Sequence, residues 1–415
     1  MGRLKPSTPE HALSLYKTLA QRGGAGHTHH HDSFAAHAAV FTIKSFSSSP
    51  QSSLLVPQLH AHLIKTNLLS HVYVATALLH AYSLASLPHA RLLFDEIPNR
   101  NVVTANTMIT CFARHDDLSA ARSLFNAMPE RDVASWSAII GGYMARTCRT
   151  QGLALFRQMM EGGQVMPDQL MLVTVLAGCA NSGSFTLLGK SIHAYCEKHG
   201  MEINVQLGTS LIDMYMKSGC LMSAFKVFER MPERNVMHWT AMICGLAFNG
   251  HGNDALAFFR EMRQARVKPN EITFTGVLNA CCHAGLVEEG QKYFCSMVEE
   301  FSLDPGIHHY GCMVELFAKV GRLEDAYGVI QSMKVEPNII VWTSLLAACK
   351  KHGKFEVAEK VIDKVLAMVD PDEDGGIYTL ISDLYAMVGR WSDAERVRML
   401  MDENNVRKNR GSSFI

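Results

Sequence analysis

Apolar residues along this chain fall into pairs of short helical stripes separated by turns. Between positions 236 and 270, Trp239, Met242, Ile243 and Leu246 lie at helical spacing. Asn249-Gly250-His251-Gly252 interrupts them, and Ala255, Leu256, Phe258, Phe259 and Met262 form a second stripe. Val267-Lys-Pro-Asn270 ends that stripe, because proline cannot continue a helix interior. The second stripe returns as Ala90–Phe94, Ala121–Phe125–Met128, Leu153–Phe156–Met159, Ala224–Phe228–Met231 and Tyr293–Phe294–Met297. One helical hairpin cannot bury both of its faces, whereas stacked neighbours can. The pattern therefore predicts an all-α fold, a right-handed superhelical solenoid of antiparallel helical hairpins.

A longer period runs above the hairpins. Trp136, Trp239 and Trp342 recur at an interval of 103 residues, each four residues after a small polar side chain, Asp132, Asn235 or Asn338. Met128-Pro-Glu-Arg-Asp-Val-Ala-Ser-Trp136 is repeated as Met231-Pro-Glu-Arg-Asn-Val-Met-His-Trp239. The period divides into units of about 35, 36 and 31 residues. The tryptophans are expected in the hairpin core. Function is then expected on a long repeated surface, not in a single pocket.

Composition narrows the partners. Hydrophobic residues make up 48% of the 415 positions, enough for a sizeable core, and the 13 prolines and 8% aromatics suit packed helices better than a β-sandwich. Net charge is zero, so any nucleic-acid contact must come from a local stripe and not from bulk charge. The 11 cysteines make no C-x-x-C and read as buried thiols; Cys281-Cys282-His283 lacks a second cluster to complete a zinc site. No apolar run approaches the roughly 20 residues of a membrane span. No metal or other cofactor is expected. The first 50 residues carry five Lys/Arg against two acids, a composition of organelle-targeting type. The His27–His31 tract reads as a loop insertion, and Glu288-Glu289 and Lys350-Lys351 as solvated faces.

These motifs resemble the pentatricopeptide repeat (PPR) family, in its plant PLS subclass of alternating long, standard and short units. Units 133–168 and 236–270 are similar to the pattern V-x-x-W-x-x-(M/I)-I-x-G…A-L-x-x-F-x-x-M…P-(D/N). Units 102–132 and 205–235 carry the short-unit ending Met-Pro-Glu-Arg-(Asn/Asp), and unit 72–101 ends similarly at Ile97-Pro-Asn-Arg-Asn101. Long units 169–204 and 271–306 carry V-L-x-x-C-x-x-x-G from Val175 and Val277, and a degenerate unit spans about 33–71 around Gln58–Lys65. A partial repeat at His11–Tyr16 lies in the segment 1–32, so the amino end is read as a truncated gene model. A terminal short unit, 307–338, is followed by an E extension at 339–415, marked by Val341–Cys349 and by Tyr378–Arg410 with the ending Gly411–Ile415. This places the chain in the E subclass, of the organelle RNA-editing type.

The resemblance implies single-stranded RNA binding in which each unit faces one nucleotide through its fifth and last residues. Carried over, the pairs are Thr76/Asn101, Asn106/Asp132, Ser137/Asp168, Thr209/Asn235 and Thr240/Asn270, implying A, U, G, A and A. Val173/Asn204 and Thr275/Gly306 leave their bases open. With RNA running 5′ to 3′ along the chain and unit 307–338 standing four nucleotides before the target, the expected site is A-U-G-x-A-A-x-x, three unread nucleotides and the edited C. Each Asp or Asn also precedes a helix, where it would serve as an N-cap. Arg407, Lys408 and Arg410 are candidates for phosphate or partner contact.

Editing in this family uses a zinc deaminase with H-x-E and C-x-x-C, and neither motif occurs here. The chain is therefore expected to be no enzyme but a C-to-U specificity factor. It would recruit a DYW-type cytidine deaminase and other editing factors in trans through 339–415, in the mitochondrion or alternatively the chloroplast. The competing readings are an organellar factor for RNA stability, splicing or translation, and a protein scaffold of tetratricopeptide type.

Overall fold

A computed structural model describes Ser14, Tyr16 and residues 29–46, 55–146, 148–181, 185–369 and 375–403. Most of the His11–Tyr16 motif, the run 407–415 and Gly183 lie outside them. The described residues hold 22 α-helices and one short 3₁₀ turn, with no strand. They form two compact units, Met1–Ser184 and Phe185–Ile415.

In the first unit, helices Val72–Ala85 and Leu87–Glu96, Val102–Arg114 and Leu118–Ala127, and Val133–Met144 and Arg149–Gly162 form successive hairpins, followed by Gln169–Ala180. Each first helix packs on the next first helix, and each second helix packs on its partner and on the following first helix. His29–Phe46 packs on Val72–Ala85 in the same way. The helix takes in the His29–His31 end of the histidine tract, which is helical where a loop was expected. Tyr16 is buried, its ring 5.4 Å from that of His62.

The second unit opens with Thr186–Lys198 and continues through hairpins whose first helices are Val205–Lys217, Val236–Phe248, Glu271–Ala284, Ile307–Lys319, Ile339–His352 and Gly375–Met387. The two helices expected to make unit 169–204 thus belong one to each compact body. First helices approach closely here. A Cβ at Gly245 would overlap Met216 of the preceding first helix, so only glycine fits. At the turn that follows, the Asn249 amide donates to the Gly245 and Met216 carbonyls, both at 2.8 Å, bridging two hairpins.

Caps set where each first helix begins. Asn101, Asp132, Asp168, Asn204, Asn235, Asn270 and Asn338 all have extended backbone and accept a bond from the next helix's first turn. Each such cap stabilises its helix by about 1 kcal/mol. Trp136, Trp239 and Trp342 are buried in the hairpins. Trp136 meets Phe125 edge-on with centroids 4.8 Å apart, and Trp239 meets Phe228 at 4.9 Å. Burial pushes the Cys179, Cys281 and Cys282 thiols up to about 12, so they are inert core. Among the described residues no cluster could hold a metal, and no helix is long and apolar enough to cross a membrane. Lys350 is ion-paired with Asp383 at 2.7 Å, both side chains remaining partly exposed, and Lys351 is exposed.

Candidate nucleic-acid interface

The fifth residue of a first helix stands one turn in from the N-terminus, and the cap of the following first helix is the residue that closes the hairpin. Stacking brings the two to a common cleft in the first compact unit. In the first compact unit, Thr76 and Asn101 line one open cleft of about 560 Å³ with Lys44 and Val103. The Thr76 hydroxyl donates to the Val72 carbonyl at 2.6 Å. Asn101 Oδ1 accepts from Thr104 N at 2.9 Å, and Thr104 Oγ1 accepts from Asn101 N at 3.0 Å.

A second cleft of about 860 Å³ gathers two pairs at once, Asn106 with Asp132 and Ser137 with Asp168. Asn106 Nδ2 donates to Asp132 Oδ1 at 3.2 Å, so the fifth and last residues of this unit touch directly. The same oxygen accepts from Ser135 N and Ser135 Oγ, each at 2.8 Å. Partial burial works to raise the Asp132 pKa, but the bonds from Ser135 and Asn106 outweigh it and hold the carboxyl below its ordinary range. Asn106 Oδ1 and Ser137 Oγ are buried atoms with no hydrogen-bond partner. Asp168 caps Met171 N at 2.8 Å. Arg114 also lines this cleft, at the thirteenth position of its helix.

The second compact unit is more self-contained. Thr209 donates to the Val205 carbonyl at 2.7 Å, and Asn235 Oδ1 accepts from Met237 N at 3.0 Å and His238 N at 3.3 Å. Thr240 departs from the other fifth residues: it is 8% exposed, and its hydroxyl is hydrogen-bonded to Thr273 Oγ1 at 2.7 Å. Thr273 Oγ1 in turn donates to Asn270 Oδ1 at 2.9 Å, so Thr240 and Asn270 are joined through a third side chain. Thr275 likewise bonds His309 Nε2 at 3.2 Å.

One feature escaped the sequence reading. Tyr73, Val103, Leu170, Met237, Ile272 and Ile340 are exposed, and each is the second residue of a first helix. Leu170 and Ile340 are 65% and 67% exposed, a costly placement for side chains of this size. Within each compact unit they recur at one register, Tyr73, Val103 and Leu170 in the first and Met237, Ile272 and Ile340 in the second. The signal is present in the sequence as an apolar residue standing off the core stripe at the start of these six helices, whereas Gln206 and His308 hold the same register elsewhere.

Comparison with known proteins agrees with this architecture. Models of the PPR repeat match residues 103–133, 209–236, 272–300 and 308–337, a PPR repeat family model matches 234–283, and a pentatricopeptide repeat domain matches 330–367. The E motif matches residues 352–415. A mitochondrial pentatricopeptide repeat-containing protein of Arabidopsis thaliana is 39% identical over 76% of this chain and 48% of its own length. Another from the same plant, also named mitochondrial, is 40% identical over 72% of this chain and 64% of its own length. The chain thus spans about half the length of the first of these relatives and under two thirds of the second. The crystal structure of the maize pentatricopeptide repeat protein PPR10 superposes with a TM-score of 0.56 at 17% identity, covering 96% of this chain and 62% of that one. With hairpins, caps and E motif all in register, the chain belongs to the pentatricopeptide repeat family, in its E subclass.

Proposed function

We propose that this protein binds single-stranded RNA sequence-specifically and marks a cytidine for C-to-U editing in an organellar transcript. The observation that carries the reading is the cleft shared by Asn106, Asp132, Ser137 and Asp168, with two buried polar atoms in this group left unpaired. A buried polar atom without a partner costs about 1–3 kcal/mol, which a base edge can recover.

The caps explain the letters. In Asn101 and Asp132 one side-chain oxygen is already committed to the following helix. An Asn then has its NH₂ to offer, which suits the ring-nitrogen acceptors of adenine and cytosine. An Asp has a second oxygen, which suits the ring N–H of uracil and guanine. With the fifth residue choosing purine or pyrimidine as the family resemblance implies, Thr76/Asn101, Asn106/Asp132 and Ser137/Asp168 read A, U and G on the first compact unit. Thr209/Asn235 and Thr240/Asn270 read A and A on the second. The exposed apolar residues at the second helical position supply surfaces against which bases rest, and Arg114 and Lys319 supply positive charge for phosphates.

The E-motif match at 352–415 supports the editing role, with a DYW-type cytidine deaminase supplied in trans. The relatives named mitochondrial favour that organelle over the chloroplast. Binding is tested with RNA containing A-U-G-N-A-A against a scrambled oligomer of equal length. Equal affinities would refute sequence-specific reading. Sequencing organellar transcripts from plants lacking the protein tests the editing role, where loss of conversion at one cytidine is expected and an unchanged editing profile would refute it.

A further inference from the structure

Apart from Asn204, which follows Ile203, the residue just before the Asn or Asp that caps a first helix is proline or arginine. It is proline in Pro167-Asp168, Pro269-Asn270 and Pro337-Asn338, and arginine in Arg100-Asn101, Arg131-Asp132 and Arg234-Asn235. Proline fixes its own φ and so stiffens the chain on the upstream side of the reading residue. Arginine has no such intrinsic constraint, yet the structure gives all three the same one.

Arg100 donates through Nε to the Phe94 carbonyl at 3.1 Å and through Nη2 to the Asp95 carbonyl at 3.2 Å. Arg131 repeats this on Phe125 and Asn126 at 3.0 and 2.9 Å, and Arg234 on Phe228 and Glu229, both at 3.2 Å. The accepting carbonyls lie in the last turn of the preceding helix, and those of Phe125 and Phe228 also accept from the cap N–H of Met128 and Met231, both at 3.3 Å. Each guanidinium also lies over the phenylalanine ring of that turn, 4.5 to 4.9 Å from its centroid. The rings of Phe125 and Phe228 are braced on another side by Trp136 and Trp239. The next residue along is the cap, held from downstream by the following helix.

We infer that Arg100, Arg131 and Arg234 are positioning residues for base discrimination. The two-pronged bond and the ring contact do by side chain what proline does by covalent ring closure, and they hold Asn101, Asp132 and Asn235 at one orientation. A reading residue fixed on one side only can swivel to satisfy more than one base. Loss of the fork therefore erases discrimination more than affinity. The inference rests on the RNA reading proposed above and adds the residues that make that reading sharp.

The test uses the full chain, synthetic A-U-G-N-A-A RNA, and oligomers varied singly at the second letter (faced by Asp132) or the third (faced by Asp168). For Arg131→Ala, second-letter discrimination is expected to fall from about tenfold to about twofold, with third-letter discrimination unchanged. Arg131→Lys keeps the charge, loses the fork and is expected to behave like the alanine variant, which covers the case of an alanine variant that folds poorly. Arg131→Pro is expected to restore the second-letter preference. Retained second-letter preference in both the Ala and Lys variants would overturn the inference. So would an equal loss at both letters accompanied by a fall in melting temperature, which is the signature of a helix cap alone. If the unaltered chain discriminated at neither letter, the reading itself would fall, and this inference with it.

Discussion

Replacing Asp132 by asparagine separates folding from reading at a single position. As a cap, Asp132 accepts from Ser135 N at 2.8 Å, and asparagine caps about as well as aspartate, so stability should hardly change. Alanine at the same place would lose about 1 kcal/mol. As a reader, the position changes from a pure acceptor to a side chain with a free NH₂. Uracil, which offers an N–H, then loses its partner, and cytosine, which offers a ring nitrogen, gains one. A hydrogen bond to a charged group is worth about 1.5–3 kcal/mol, and three bonds already converge on Oδ1 of a solvent-facing carboxylate. The lower end applies, about 1.5 kcal/mol, or about tenfold in Kd. Fluorescence anisotropy at fixed salt, with A-U-G-N-A-A and A-C-G-N-A-A oligomers, should show the preference reversed in Asp132→Asn. An unchanged preference for U, with the melting temperature intact, would refute the assignment of this residue to the base edge.

Other expectations follow from particular contacts. Because the Thr240 hydroxyl is already bonded to Thr273 while Ser137 Oγ has no partner, a mismatched base opposite unit 236–270 should cost less affinity than one opposite unit 133–168; a single-base substitution scan checks the order. Asp117 is held below the ordinary carboxylate range chiefly by the Ala120 N–H, and Asp132 by its hydrogen bonds despite burial. Depressed folded-state values contribute stability that is present above the unfolded value of about 3.9 and is lost as pH falls through the folded one. Melting temperature should therefore drop on acidification below about pH 4, and less steeply in Asp132→Asn. Alkylation of the native protein at mildly alkaline pH should label the exposed Cys295 and spare Cys179, Cys281 and Cys282, as mass spectrometry of the peptides would show.

What the sequence disclosed depended on how local the cause was. Helices and turns were legible because Trp239, Met242, Ile243 and Leu246 repeat the helical period, and because Asn249-Gly250 breaks it within four residues. The caps were legible for the same reason, since Asn101 or Asp132 acts on atoms three positions away. The engagement of Thr240 by Thr273 was not, because it depends on how closely two first helices from different hairpins approach. Nor was the Arg131 fork. Within Met-Pro-Glu-Arg the arginine reads as a surface charge until the preceding helix ends with its carbonyls facing it. Val103 and Leu170 are exposed, and a side chain facing out at this register leaves no mark on the apolar stripe of the core. The histidine tract misled through composition: His29–His31 looks polar enough for a loop, yet it joins a helix whose later residues Ala36, Ala39 and Ile43 are buried.

On the proposed reading, one side chain both begins a helix and meets a nucleotide, which limits how such a protein can drift. At Asn101, Asp132, Asp168, Asn235 or Asn270, a change of letter that keeps the helix start must be drawn from the few small polar residues able to cap. Exchanging Asn for Asp stays inside that set, so a new target can be acquired without passing through a badly folded ancestor. Any apolar replacement would forfeit helix and letter together. The vocabulary of the array is thereby bounded by the chain's own architecture before selection for any particular transcript begins.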